Sequence, residues 1–375
     1  MNAAGFLGRW AALLIGHIGL VAAFNIAIDP YALWGTPRID GINQFKITAH
    51  SKVRQSKPAQ LARSGARSVV IGNSRPEAGL DPMSRCWPPE LQPVYNFGIP
   101  GAGVLEQLRN ARHALTFPNV RRIVITVDFS DFLYLAAVEK PDGNNDAGAS
   151  QNRDSLPGDP GILDTLRNRL LSVLSLDALA DSVATIVSQQ GIAPSDVTEL
   201  GFNNGGMFAT VIAYEGQSVL FTQKMTELSA RYPTGAWHFD HASQQTSIQF
   251  VALSRLIREA RADNVDIVLV MNPFHHAYLD LLENHGYGAD LQRWKSVLGD
   301  FATEHALPLW DFATRHTYAL SRATDGTSQW FWEPAHYRPE LGDRMLARMF
   351  ETCPELGDVA NFGRLLRSAP GSGGE

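Results

Sequence analysis

The sequence predicts an α/β fold, three layers deep around a five-stranded parallel sheet and preceded by an N-terminal transmembrane helix. Three observations carry this. Short apolar, β-branched runs alternate with longer segments of helical periodicity, the pattern of βα units. Several of those runs stop at glycine or asparagine and pass directly into polar, chemistry-bearing residues, as happens at the carboxyl edge of a parallel sheet. Finally, Trp10 to Ile28 (WAALLIGHIGLVAAFNIAI) carries no formal charge. At ~1.5 Å rise per residue it nearly spans a hydrocarbon core of roughly 30 Å.

A buried helix in a soluble core shows a polar face, and only His17 and Asn25 interrupt this one. A signal peptide has a small-x-small cleavage site, and Val21-Ala22-Ala23 is a poor one. Residues 1–28 therefore read as an uncleaved anchor. Arg9 and the terminal amine favour a cytoplasmic start, a bias diluted by Arg38 and Lys46, and leave the main domain outside the cytoplasm. There an oxidising environment permits Cys86 and Cys353 to pair, although two separate thiols suit the sequence equally. A formal charge of -6, a pI near 6.0 and the lack of a basic stripe exclude nucleic acid as a partner.

Residues 29–66 form a lead-in with turn signals (DPYALWGTPRIDGINQ), ending in a basic helix whose Lys52, Arg54 and Lys57 are read as a solvated face or one near anionic headgroups. An α/β domain follows over residues 67–355. Its strands are expected at Val69–Ile71, Pro93–Phe97, Arg122–Phe129, Asp266–Met271 and Leu307–Phe312. Helices are expected at Gly103–Leu115, Ser247–Ala262 and Leu291–His305. Between the third and fourth strands lies an insertion over residues 133–245, placed to be a lid, a substrate wall or a packing subdomain. Within it 139–159 reads as a loop, Ile162 to Gln189 as an amphipathic helix, and GFNNGG (201–206) as a turn. Residues 356–375 are expected to be a partly disordered tail.

The first strand breaks at Gly72 and presents Asn73-Ser74-Arg75. Ser74 is either the N-cap of the next helix or a nucleophile at a strand end. The second reading gains from WFWEPAHY (330–337). There Glu333 precedes His336 by three, so that on a single turn it can accept the Nδ1 proton and leave Nε2 as a base. A metal site at Glu333 and His336 lacks a second histidine pair of matching spacing. His275 and His276 follow the fourth strand and could touch a substrate. Adjacent residues on an extended chain point apart, so they do not readily share a metal, although a zinc hydrolase built on either one is a further alternative.

Taken in order, Gly72-Asn73-Ser74, NFGIPGAG (96–103), Asn272-Pro273 and Glu333-Pro334-Ala335-His336 resemble the four blocks of the SGNH/GDSL-type hydrolases and O-acyltransferases. The anchor, the DPY lead-in and the GNSR-type block are similar to the membrane-anchored bacterial branch that includes alginate O-acetyltransferase-like envelope proteins. The resemblance implies a flavodoxin-like three-layer sandwich and a Ser74–His336–Glu333 triad. The oxyanion hole would be built by the Ser74 amide with Gly98 or Gly101, and Asn272 would stand in for a missing asparagine. Three departures stand out. Asn73 and Glu333 each occupy a place where the family has aspartate, and the third block, Gly-x-Asn-Asp in the family, is Val127-Asp128-Phe129-Ser130-Asp131 here. Asp128 would oppose a developing negative charge unless protonated or bound to Arg75. Arg75 itself could hold an anionic substrate or lie in a surface salt bridge.

The expected function is a serine esterase or O-acyltransferase, acetyl being the expected acyl group, acting on an envelope polysaccharide or glycan. The protein would sit in a bacterial inner membrane as a single-pass chain with its domain in the periplasm. A membrane-bound O-acyltransferase is the implied acyl donor, and no metal or organic cofactor is implied. The competing expectation is a catalytically silent scaffold or binding protein for polysaccharide assembly or export.

Overall fold

The computed structural model describes residues 3–135, 167, 170–190, 196–239, 247–320, 328–357 and 359–367. The loop expected at 139–159, the start of the helix expected at 162–189 and the last residues of the tail lie outside these.

Five strands of the central sheet run parallel: β1 (Ser68–Gly72), β2 (Val94–Gly98), β3 (Arg122–Val127), β6 (Asp266–Met271) and β7 (Leu309–Asp311). The three central runs, β1, β3 and β6, are rich in Val and Ile because both faces are covered. Alternate residues enter opposite cores. Val69, Ile71, Ile123 and Ile125 join one cluster, and Val70, Val124 and Val268 join the other. The first core is covered by α4 (Val104–Leu115), α8 (Ile248–Ala262) and α10 (Gly288–Glu304), through residues such as Leu108, Leu253 and Trp294. The second is covered by α11 (Pro339–Phe350), through Leu341, Met345 and Leu346.

The sheet has six strands rather than five. β10 (Arg364–Arg367) pairs antiparallel with β7, giving the order β10-β7-β6-β3-β1-β2. Part of the segment expected as a tail thus covers the open edge of β7, whose main-chain groups would otherwise lack partners. Cys86 and Cys353 form a disulfide with Cα atoms 5.4 Å apart. It ties the segment after the first strand unit to the turn that follows α11.

The N-terminal helix α1 (Ala3–Ile28) is exposed along its first turns and becomes buried only near its end, at Asn25 and Ile28. The lead-in helix α2 (Val53–Ser64) overturns the expectation of a uniformly solvated basic face. Arg54 is exposed, but Lys57 is fully buried, bound 2.9 Å from Glu77 and donating to the Gly98 carbonyl. A lysine pairs in this way when its stem must cross an apolar layer to reach a carboxylate that is itself out of water.

The insertion leaves the sheet through β4 (Tyr134–Leu135) and returns through β5 (Trp237–His238), which pair antiparallel. The single helix expected over 162–189 is interrupted at Ser175. Its hydroxyl accepts from Ala178 N at 3.0 Å and starts α5 (Leu176–Val187) afresh. The hairpin α6 (Gly206–Glu215) and α7 (Gln217–Arg231) completes the described part of the insertion.

Candidate active site

The turn that presents Ser74 is tight for a steric reason. A Cβ at Gly72 would lie 2.2 Å from Thr126 Oγ1 and 2.4 Å from Pro76 Cγ, so only glycine lets β1 hand over to α3 (Ser74–Gly79) here. Asn73, not Ser74, is the helix cap: its Oδ1 accepts from Arg75 N at 3.0 Å. Ser74 becomes the first helical residue, and its hydroxyl is left for another partner.

That partner arrives from a hairpin. β8 (Phe331–Glu333) and β9 (His336–Tyr337) run antiparallel with Pro334-Ala335 as the turn, so Glu333 and His336 stand opposite one another. Opposed residues in a hairpin share a face, which accommodates the longer glutamate arm. Glu333 Oε1 meets His336 Nδ1, Glu333 Oε2 accepts from Ala335 N at 3.0 Å, and His336 Nε2 lies 2.7 Å from Ser74 Oγ. Glu333 is 1% exposed and His336 14%. Burial pushes the Glu333 carboxyl up. The charge and hydrogen bond of His336, aided by Lys224 and the Ala335 amide, outweigh this and hold it below its ordinary value.

The remaining predicted residues fall into three groups. Arg75 is not a surface residue, although it lines the cleft beside Ser74. It is 8% exposed, ion-paired with Asp128, donates from Nε to the Ala335 carbonyl at 3.0 Å, and lies over the Phe274 ring at 4.7 Å. Burial works against its charge, but the charge and hydrogen bond of Asp128, with Tyr278 and Tyr232, together outweigh burial and hold it above its ordinary value. Asn272 is fully buried, its Nδ2 donating to Asp128 Oδ1 at 3.0 Å and its Oδ1 accepting from Tyr337 at 3.2 Å; Asn73 Nδ2 also donates to Asp128. Asp128 is thus neutralised by a cation and amides, and the amide of Asn272 is withdrawn from any oxyanion role.

Among the main-chain donors, Gly98 N is taken by Asn96 Oδ1 at 2.9 Å. Gly98 owes its identity to packing instead, since a Cβ there would lie 2.8 Å from Asn73 O and 2.9 Å from Glu77 Cβ. Gly101, at φ +71°, lines the cleft with open space where a Cβ would be. Of the main-chain donors expected from the sequence, Ser74 and Gly101 belong to residues that line the cleft.

His275 and His276 do not reach the cleft. His275 Nδ1 accepts from Ala277 N at 3.1 Å as the cap of α9 (His276–Asn284), its ring packed against Phe221 and Phe331. His276 Nε2 accepts from His316 N at 3.1 Å. Among the described residues no three His, Cys, Asp or Glu side chains converge as metal ligands would.

The cleft at Ser74 and His336 has a volume of about 1060 Å³. One wall is Gly101 to Arg109. The other comes from the insertion through Leu133, Tyr134, Lys224, Arg231 and Tyr232, so the described part of the insertion lines the cleft. It also packs against the hairpin that carries His336. Phe208 of α6 lies 5.5 Å from the His336 ring and stacks on Trp332 at 5.6 Å. Gln217, at the start of α7, donates to the carbonyls of Phe331 at 2.7 Å and Trp332 at 3.1 Å. Neither residue carries a local signal, because each contributes only through contact with a distant hairpin.

Compared with known protein families and with curated proteins, the chain matches no family model and no curated sequence.

Proposed function

We propose that the protein is an SGNH-like serine esterase or O-acyltransferase, anchored in a membrane by α1 and acting on esters carried by an envelope polysaccharide or glycan. One observation carries this reading: a serine hydroxyl at a strand end lies 2.7 Å from an imidazole whose other nitrogen is held by a buried carboxylate.

In the proposed reaction His336 Nε2 takes the Ser74 proton as Oγ attacks the ester carbonyl. The carbonyl oxygen becomes an anion facing the Ser74 and Gly101 amides. Collapse breaks the bond to the leaving alkoxide, which receives the proton from His336, and the acyl group stays on Ser74. Water or a sugar hydroxyl then gives its proton to His336 and takes the acyl group, restoring the serine. Glu333 orients the ring and stabilises its charged form throughout. Transfer rather than hydrolysis would draw the acyl group from a membrane-bound O-acyltransferase.

An envelope-facing domain in a bacterial periplasm is supported by the buried Cys86–Cys353 disulfide, because such bonds persist in oxidising compartments. α1 is long and apolar enough to cross a membrane. The test of catalysis is labelling by a fluorophosphonate: the native chain is expected to react at Ser74 and the Ser74→Ala variant not to react. Withdrawal of Gly98 N and Asn272 from the oxyanion position favours a second reading, a silent binding protein on the same scaffold. A native chain that fails to label would establish that reading instead.

A further inference from the structure

The helix α5 is built inside out for a protein in water. Its buried side is small and polar, Ala178, Ser182 and Thr185, with Gln189 continuing the stripe. Its outward side carries Leu176, 82% exposed, Val183, 48%, and Val187, 75%. The helical residues just before it add exposed Leu170, Leu171 and Leu174. A surface helix on a soluble domain shows the opposite order. Small and hydroxyl residues inside with aliphatic residues outside is how helices pack when the surrounding solvent is lipid.

The position of α5 points the same way. Its buried face docks on the end of α1: Ser182 Oγ donates to Asn25 Oδ1 at 2.8 Å, and Asn25 Nδ2 donates to Val173 O at 2.9 Å. Just beyond α1, Tyr31 donates to Asp181 Oδ2 at 2.6 Å. α1 has 26 residues. At ~1.5 Å each it is about 39 Å long, against a hydrocarbon core of roughly 30 Å. The excess is about two turns, and the buried end of α1 is where α5 sits. The aliphatic surface of residues 170–187 is therefore continuous with the lipid-facing surface of α1 at the level where that helix leaves the hydrocarbon.

We infer that residues 170–187 form an interfacial foot, with their outward aliphatic side chains inserted at the boundary between headgroups and acyl chains. The inference rests on the reading that α1 spans the membrane. The formal charges on α5 are Asp177 and Asp181, both acidic, so apolar burial rather than attraction to anionic lipid drives the contact. The consequence is orientation: a single helix leaves a domain free to swing, and a second contact beside it holds the domain at a set height and tilt over the bilayer.

The test uses the full-length chain in vesicles of phosphatidylethanolamine with phosphatidylglycerol. Nitroxides are placed singly through Val183→Cys, Val187→Cys, Leu13→Cys on α1 and Glu304→Cys, an exposed site outside the insertion. The native cysteines are held in their disulfide. Collision rates with oxygen, which partitions into lipid, and with a water-soluble nickel chelate are compared. The expected oxygen-to-nickel ratio at 183 and 187 exceeds that at 304 severalfold, approaches that at 13, and persists when phosphatidylglycerol is omitted. A nickel-dominated ratio at 183 and 187 with an oxygen-dominated one at 13 overturns the foot while leaving the anchor. Labels at 183 and 187 reached by neither reagent also overturn it, since a second copy of the chain would then cover the face. A nickel-dominated ratio at 13 removes anchor and foot together.

Discussion

Arg75 Nε donates to the main-chain oxygen of Ala335 at 3.0 Å, so the residue after Ser74 is bonded to the residue before His336. The same guanidinium is paired with Asp128 at the end of β3. One buried cation thus spans the turn that presents Ser74, the adjacent strand end and the hairpin that carries His336, and fixes their spacing. Removing it would leave the Asp128 carboxylate buried and uncompensated, which costs about 3–5 kcal/mol. Arg75→Met is expected to lower the unfolding free energy by that amount in denaturant titration, and adding Asp128→Asn to recover a large part of it.

Glu333 governs which nitrogen of His336 carries the proton. Glu333→Gln is expected to reduce the rate of fluorophosphonate labelling by roughly 10³–10⁴, because the wrong tautomer then faces Ser74. The unfolding midpoint should fall modestly, because the variant loses the stability of the ionised carboxylate while the amide oxygen can still accept from the Ala335 main chain.

Lys57 and Glu77 are 0% and 1% exposed, and Lys57 also donates to the Gly98 carbonyl beside the nucleophile turn. Lys57→Met is expected to destabilise the fold by about 3–5 kcal/mol, and Lys57→Met with Glu77→Leu by clearly less than the sum of the two single changes. Thermal or chemical unfolding of all three variants checks the cycle.

Two carboxyls give pH dependences of opposite sign. Asp131 is pushed up from 3.8 to about 7 by burial and by the neighbouring Asp128 charge, against the pull of Arg75, Arg231 and Gln107. Between those values the folded chain holds a proton that the unfolded chain has released. Stability therefore falls as pH rises through that window and levels off above it. Asp131→Asn should remove this slope. Glu333 is held below its ordinary value, so its contribution is present above the unfolded value and is lost as pH falls through the folded one. Glu333→Gln should blunt the acid limb. Denaturant midpoints measured across pH for both variants separate the two effects.

The disulfide closes a very long loop, Cys86 and Cys353 being 267 positions apart. Cys86→Ser is expected to cost about 2–5 kcal/mol. In cells, thiol alkylation of the native chain should require prior reduction; alkylation without it would place the domain in a reducing compartment.

The sequence by itself determined the features that depend on near neighbours. Val69–Ile71, Arg122–Val127 and Asp266–Met271 are legible as strands because a β-branched run covered on both faces has a local signature. The apolar length of α1 is legible for the same reason, and Glu333 and His336 show themselves because they are three residues apart. Tertiary structure alone decided what depends on faces meeting. Ser74 and His336 are 262 positions apart, and their 2.7 Å contact exists only because a strand end and a hairpin converge on one edge of the sheet. Lys57, on a segment with every mark of a solvated basic helix, is buried because Glu77 waits beneath it. Arg75 spends its guanidinium on Asp128, Gly98 N is taken by Asn96, and the last described strand comes from a segment that looks like a tail. Hydrophobic periodicity repeats along the chain and can be read there. Whether a polar group is solvated, paired or poised depends on the groups that folding brings beside it, and composition leaves that choice open.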